Sequence, residues 1–113
     1  MPVTHLSGRK GRIDVSLDGV SFTRSDTDAA RQGTARRIDV GWDDVTGAEV
    51  QTTSKGRPVI RVGVAGAPAV ARHQDDPHAL KLSRKFSEPA HQLVEQINDE
   101  AAARRRWREH AQR

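Results

Sequence analysis

Single apolar residues alternate with polar ones early in the chain. Ile13, Val15 and Leu17 are each separated by one polar residue, Asp18-Gly19 follows, and Val20 and Phe22 resume the alternation. A period of two marks a strand with one buried face. Asp-Gly suits the two positive φ angles of a type I′ turn. The pattern therefore predicts a hairpin with Leu17 opposite Val20, Val15 opposite Phe22, and all five apolar side chains on one face. The stretch from Ser25 to Ala35 is polar and aperiodic and reads as a long exposed loop.

Further strands are predicted from Arg37 to Trp42, with Ile38, Val40 and Trp42 inward, and from Val45 to Thr53, with Ala48 and Val50 inward. Ser54-Lys55-Gly56-Arg57 reads as a tight turn, and Pro58 suits the first position of the next strand, Val59 to Val64. Short strands are expected at Ala69 to Ala71 and Ala79 to Leu82, either side of a polar loop from Arg72 to His78. From about Ser87 the period changes. Ala90, Leu93, Val94, Ile97 and Ala101 follow helical spacing, with Ser87 as expected N-cap and Glu88 and Pro89 in the first turn. Running to about His110, this helix would be about 34 Å long, against a radius of gyration near 13 Å for a domain of this size, so its end is expected to overhang the body.

With 113 residues there is room for one domain and one core, so the expectation is a β-rich body at about 8–86 closed by a helix at about 87–110. No run approaches the ~18–20 apolar residues of a membrane span, and residues 1–11 lack the apolar run of a signal peptide; the expected location is the cytoplasm. The absence of cysteine removes disulfide and thiolate chemistry. Residues 1–86 hold 14 basic and 10 acidic side chains, and residues 87–113 hold five of each. Acids and bases interleave through the body, so the basic excess implies only weak attraction to polyanions.

Three segments carry a family resemblance. Residues 11–22, the run Ile38-Asp39-Val40-Gly41-Trp42-Asp43-Asp44-Val45 and the closing helix resemble small bacterial pleckstrin-homology-like domains over roughly residues 8–100. The resemblance implies a seven-stranded antiparallel barrel or sandwich capped by one long helix. Phosphoinositide-binding members of the wider family carry basic residues around a long first hairpin loop. Here that loop is read as Asp18-Gly19, so head-group binding is disfavoured and would need another patch, such as Arg9, Lys10 and Arg12.

Candidate chemistry is sparse. His73, Asp75, Asp76 and His78 offer two imidazoles and two carboxylates within six residues, a donor set suited to a divalent ion, but their spacing matches no standard zinc motif and Asp-Asp-Pro is common turn material. No metal or other cofactor is expected. Asp43-Asp44 would be an acid/base pair only if buried. With no nucleophile elbow, phosphate loop or dinucleotide fingerprint, no enzyme is expected.

Trp42 reads as core from its alternation. Trp107, beyond the apolar stripe, has the character of an interface anchor. Arg104, Arg105, Arg106 and Arg108 around it resemble a phosphate grip, yet bases at a helix end are also what the helix dipole favours. The leading expectation is a non-catalytic module for protein interaction or self-association, through an exposed sheet edge, the barrel mouth, or the overhanging helix with Trp107 and its arginines. Nonspecific nucleic-acid binding through the basic residues is the second reading, and a metal-dependent hydrolase the third.

Overall fold

A computed structural model of the chain describes residues 4–8, 10–33, 35–68, 70, 72–73 and 76–111. Four antiparallel strands, β1 (His5–Gly8), β2 (Gly11–Val15), β3 (Gly19–Arg24) and β4 (Arg37–Gly41), form one sheet in sequence order. A second antiparallel sheet contains β5 (Val45–Thr52), β6 (Pro58–Val64) and β7 (Ala79–Lys81). A short helix α1 (Asp26–Gln32) links β3 to β4, and the long helix α2 (Ser87–Ala111) follows the second sheet. The chain is thus mainly β with one long C-terminal helix.

Among the described residues the ladders do not close into a barrel. A 3-10 turn at Trp42–Asp44 interrupts the backbone between β4 and β5. The opposite edges approach each other without pairing: a Cβ added at Gly8 would lie 3.2 Å from the Lys81 carbonyl oxygen. The result is two sheets facing one core. Phe22, Ile13 and Val20 from the first sheet meet Ile60, Val62 and Leu80 from the second.

α2 completes that core with the stripe its spacing predicts: Ala90, Leu93, Val94, Ile97 and Ala101 are its buried residues. Full burial of Leu93 and Ile97 stabilises the docked helix by about 1.5–3 kcal/mol each. Asn98, beside the stripe, ties the helix to β5. Its side chain accepts a hydrogen bond from the Ala48 N–H (2.8 Å) and donates one to the Ala48 carbonyl (3.0 Å), next to the irregular register between Val45 and Gly47. The expected N-cap at Ser87 is not formed, because Ser87 already has helical angles; the extended residue is Ser83, ahead of a 3-10 turn at Arg84–Phe86.

The first hairpin is registered differently from its prediction. Val15 pairs with Val20 and Ile13 with Phe22, and Leu17 leaves the ladder for the turn, where it is 83% exposed. Among the described residues no non-glycine residue has positive φ, so Asp18 does not supply the first half of a type I′ turn. Instead the Ser16 N–H bonds the Gly19 carbonyl at 2.9 Å and the Ser16 hydroxyl accepts from the Asp18 N–H at 3.2 Å. The slip is two residues, so the buried face is preserved, as period-two patterning requires.

Two elements lie where none was expected. β1 contributes one apolar residue, Leu6, which pairs with Ile13 and is buried. α1 occupies the expected loop, burying Ala29 and ending at Gly33, whose φ of 68° is the left-handed conformation favoured after a helix. The strand expected at 69–71 falls on residues of which only Val70 is described, and Val70 is in no strand.

Candidate functional site

The polar segment between β6 and β7 is clamped rather than loose. Asp76 is 8% exposed and takes three hydrogen bonds: from Arg61 Nε at 3.1 Å, from Arg61 Nη2 at 3.0 Å, and from the His78 N–H at 2.8 Å. Arg61 also donates to the Val70 carbonyl. From the first sheet, Arg24, 4% exposed, donates from Nη2 to the carbonyls of Asp76 (3.2 Å), Pro77 (2.9 Å) and Ala79 (2.6 Å). Two buried guanidiniums thereby satisfy a segment that could not otherwise be packed against the core.

This arrangement bears on the candidate ligand set. Asp76 and His78 are close, with Asp76 Oδ1 3.8 Å from His78 Nδ1, but both carboxylate oxygens of Asp76 are already engaged. His78 titrates below its ordinary range, chiefly through burial, with Asp76 opposing and Arg24 adding to the shift. His73 is also lowered, by burial first and then by Lys81, Arg61, Lys10 and Arg72. Asp75 lies outside the described residues, and among those described no group of three potential ligands is close enough to hold a metal. A concavity of about 600 Å³ runs beside Arg61, Asp76 and His78, whose polar groups there are committed to one another.

At the other end of β2, the arginines of α2 brace the body instead of hanging clear of it. Arg104 bonds Glu100 (2.8 Å) and the Leu17 carbonyl (3.0 Å), and its guanidinium carbon lies 5.8 Å from the centre of the Trp42 ring. Trp42 is 3% exposed and donates its indole N–H to the Ser16 carbonyl at 3.0 Å. Arg105 reaches the Thr46 carbonyl at 3.4 Å, and Arg108 pairs with Asp43. Arg106 lines a shallow groove of about 520 Å³ between the β2–β3 turn and α2, with Leu17, Trp42, Gln96, Glu100 and Ala103.

Trp107 is 72% exposed, and it and Leu17 are the large exposed hydrophobic side chains of the described residues. One helical turn separates Trp107 from Ala103 of the groove lining, so the two share a face of α2. Sequence patterning put Leu17 in the core, so this pairing was not readable before the turn was placed. Of the basic residues ahead of β2, Arg12 pairs with Asp14 at 2.8 Å, Lys10 is exposed, and Arg9 lies outside the described residues.

No family model, no curated protein and no solved structure matches this chain.

Proposed function

We propose that the chain is a non-catalytic self-association module of pleckstrin-homology-like architecture, with the Leu17–Trp107 face as its interface. Two antiparallel sheets of four and three strands followed by one packed helix support the architectural reading. The observation that carries the functional one is a pair of exposed hydrophobic side chains, Leu17 in the groove lining and Trp107 one helical turn beyond Ala103 of the same lining. Tryptophan is among the residue types enriched at the energetic centre of interfaces, and an exposed indole near a groove of mixed polar and apolar lining has the character of an anchor without its pocket.

A second copy is the occupant favoured by the local charge. The groove lining carries both signs, Asp99 and Glu100 against Arg106, so the surface can complement itself. A two-fold axis across antiparallel α2 helices would seat each Trp107 in the partner's groove, meeting the requirement that both copies use the same patch. Light scattering on the eluting protein is expected to give the mass of two chains at high concentration. Trp107→Ala should weaken the dimer by about 2 kcal/mol, roughly thirtyfold in dissociation constant. A full-length chain that remains monomeric at every accessible concentration would contradict the proposal.

One observation favours a second reading, binding of polyanions through basic residues: several cations have no acidic partner among the described residues. They lie chiefly away from the arginines of α2, as described next.

A further inference from the structure

The chain is arginine-rich, with 15 arginines and only four lysines, yet three of the four lysines converge on one place. Lys55 and Lys81 line a cavity of about 420 Å³ between the β5–β6 turn and β7, together with Arg57, His73 and the hydroxyl-bearing Thr52 and Ser54. Lys10, in the β1–β2 turn, acts on the same space: it is among the cations whose charge depresses both Lys81 and His73. Lys81 lies below the ordinary lysine range through burial first, then through Lys10, Arg57 and Lys55. Among the described residues no carboxylate lines this cavity.

Six basic residues elsewhere are held by carboxylates. Arg12 pairs with Asp14, Arg36 with Asp26, Arg37 with Asp39, Arg61 with Asp76, Arg104 with Glu100 and Arg108 with Asp43. Lys10, Lys55, Arg57 and Lys81 form no ion pair among the described residues. Collecting like charges in one concavity is unfavourable for the empty protein and favourable only when an anion enters, because low-dielectric walls focus the field of every cation on the same volume. No tryptophan, tyrosine or phenylalanine lines the cavity, and the one ring among its described lining residues is the His73 imidazole, so it lacks a broad platform for stacking successive bases. Lysine ammoniums, as compact point charges, together with hydroxyl donors suit phosphoryl oxygens.

We infer that the cavity lined by Lys55, Arg57, His73 and Lys81 is a binding site for a small anion carrying two or more phosphoryl groups. His73 adds an imidazole to the lining, its Nε2 buried and without a hydrogen-bond partner among the described residues. Bound anion bridges the β5–β6 turn to β7 and relieves the mutual repulsion of the four cations.

The test is calorimetric titration with pyrophosphate at fixed low ionic strength, on the full chain. A single site is expected, weakened about tenfold in Lys81→Gln and in Lys55→Gln, the latter in an exposed turn where folding is not at stake. Arg37→Gln, which removes the same charge from the far side of the first sheet, should leave the affinity within about twofold. Absence of pyrophosphate binding would overturn the assignment. So would equal losses in all three variants, which would mean attraction to net charge alone, or binding of single-stranded DNA or anionic vesicles by a chain that ignores pyrophosphate.

Discussion

Replacing Asp76 by alanine is expected to lower the unfolding free energy by about 3 kcal/mol, the range for breaking a buried ion pair on one side only. Both partners are largely withdrawn from water, with side chains 14% (Arg61) and 12% (Asp76) exposed. The loss is therefore not the modest one of a surface pair. It arises from what remains: an Arg61 guanidinium without its carboxylate, and a His78 N–H without its acceptor. Arg24 binds the carbonyls of the same segment and cannot supply the missing negative charge. Urea unfolding checks this, and replacing both partners by apolar residues of similar size, Arg61→Met with Asp76→Leu, should restore much of the loss. A single-variant loss under about 1 kcal/mol would show that water, not Asp76, satisfies Arg61.

Gly19→Ala is expected to cost a similar amount, about 3 kcal/mol, for a reason that has nothing to do with burial of a charge. Gly19 sits at φ 149°, in a region L side chains rarely adopt, and pairs with Gly41 across the β3–β4 ladder. A Cβ there would overlap the Val40 carbonyl oxygen and stand 2.9 Å from the Val40 carbonyl carbon. Backbone cannot swing aside as a flexible side chain does, so β3 and β4 would have to separate locally. Gly41→Ala is the control, since its added Cβ would meet only the Asp18 carbonyl oxygen at 4.0 Å; its cost should stay below about 1 kcal/mol. Equal thermal stability of the two variants would contradict this account of the hairpin.

The contrast between these positions shows which parts of the fold were legible in the sequence. The stripe on α2 was readable residue by residue because helical spacing and apolar character coincide there. Pro58 opened its strand as expected, and Trp42 was core, although it sits in a turn rather than at the end of a strand. Asp18-Gly19 correctly marked the turn, but the glycine is required by close approach to β4, not by a type I′ geometry. That distinction moved the register by two residues and placed Leu17 outside the core.

α1 was misread because its signals are weak individually. Asp26 and Asp28 at its start and Gly33 after its end are the terminal chemistry of a helix, but one buried alanine is too little for a periodic signal. The Arg24, Arg61 and Asp76 clamp was invisible for a different reason. Charged residues next to proline look solvent-exposed in sequence, and only strands distant in the chain bring their partners together. The same holds for the basic cavity, whose basic residues come from the β5–β6 turn, the segment ahead of β7 and β7 itself. The arginines at the end of α2 were visible as a cluster, but their contacts with Leu17, Trp42, Asp43 and Thr46 depend on where the hairpin turn and the 3-10 turn lie.

The central claim, that Trp107 is an anchor buried by a second copy, can be read from the indole itself. The chain has two tryptophans, so Trp42→Phe leaves Trp107 as the only emitter, with circular dichroism checking that the fold survives. The account predicts the emission and acrylamide quenching of a water-exposed indole in dilute solution. As concentration rises, the emission should shift to the blue and quenching should fall, over the same range in which light scattering reports two chains. A mass that doubles while Trp107 stays fully accessible, or one that never doubles, would contradict it.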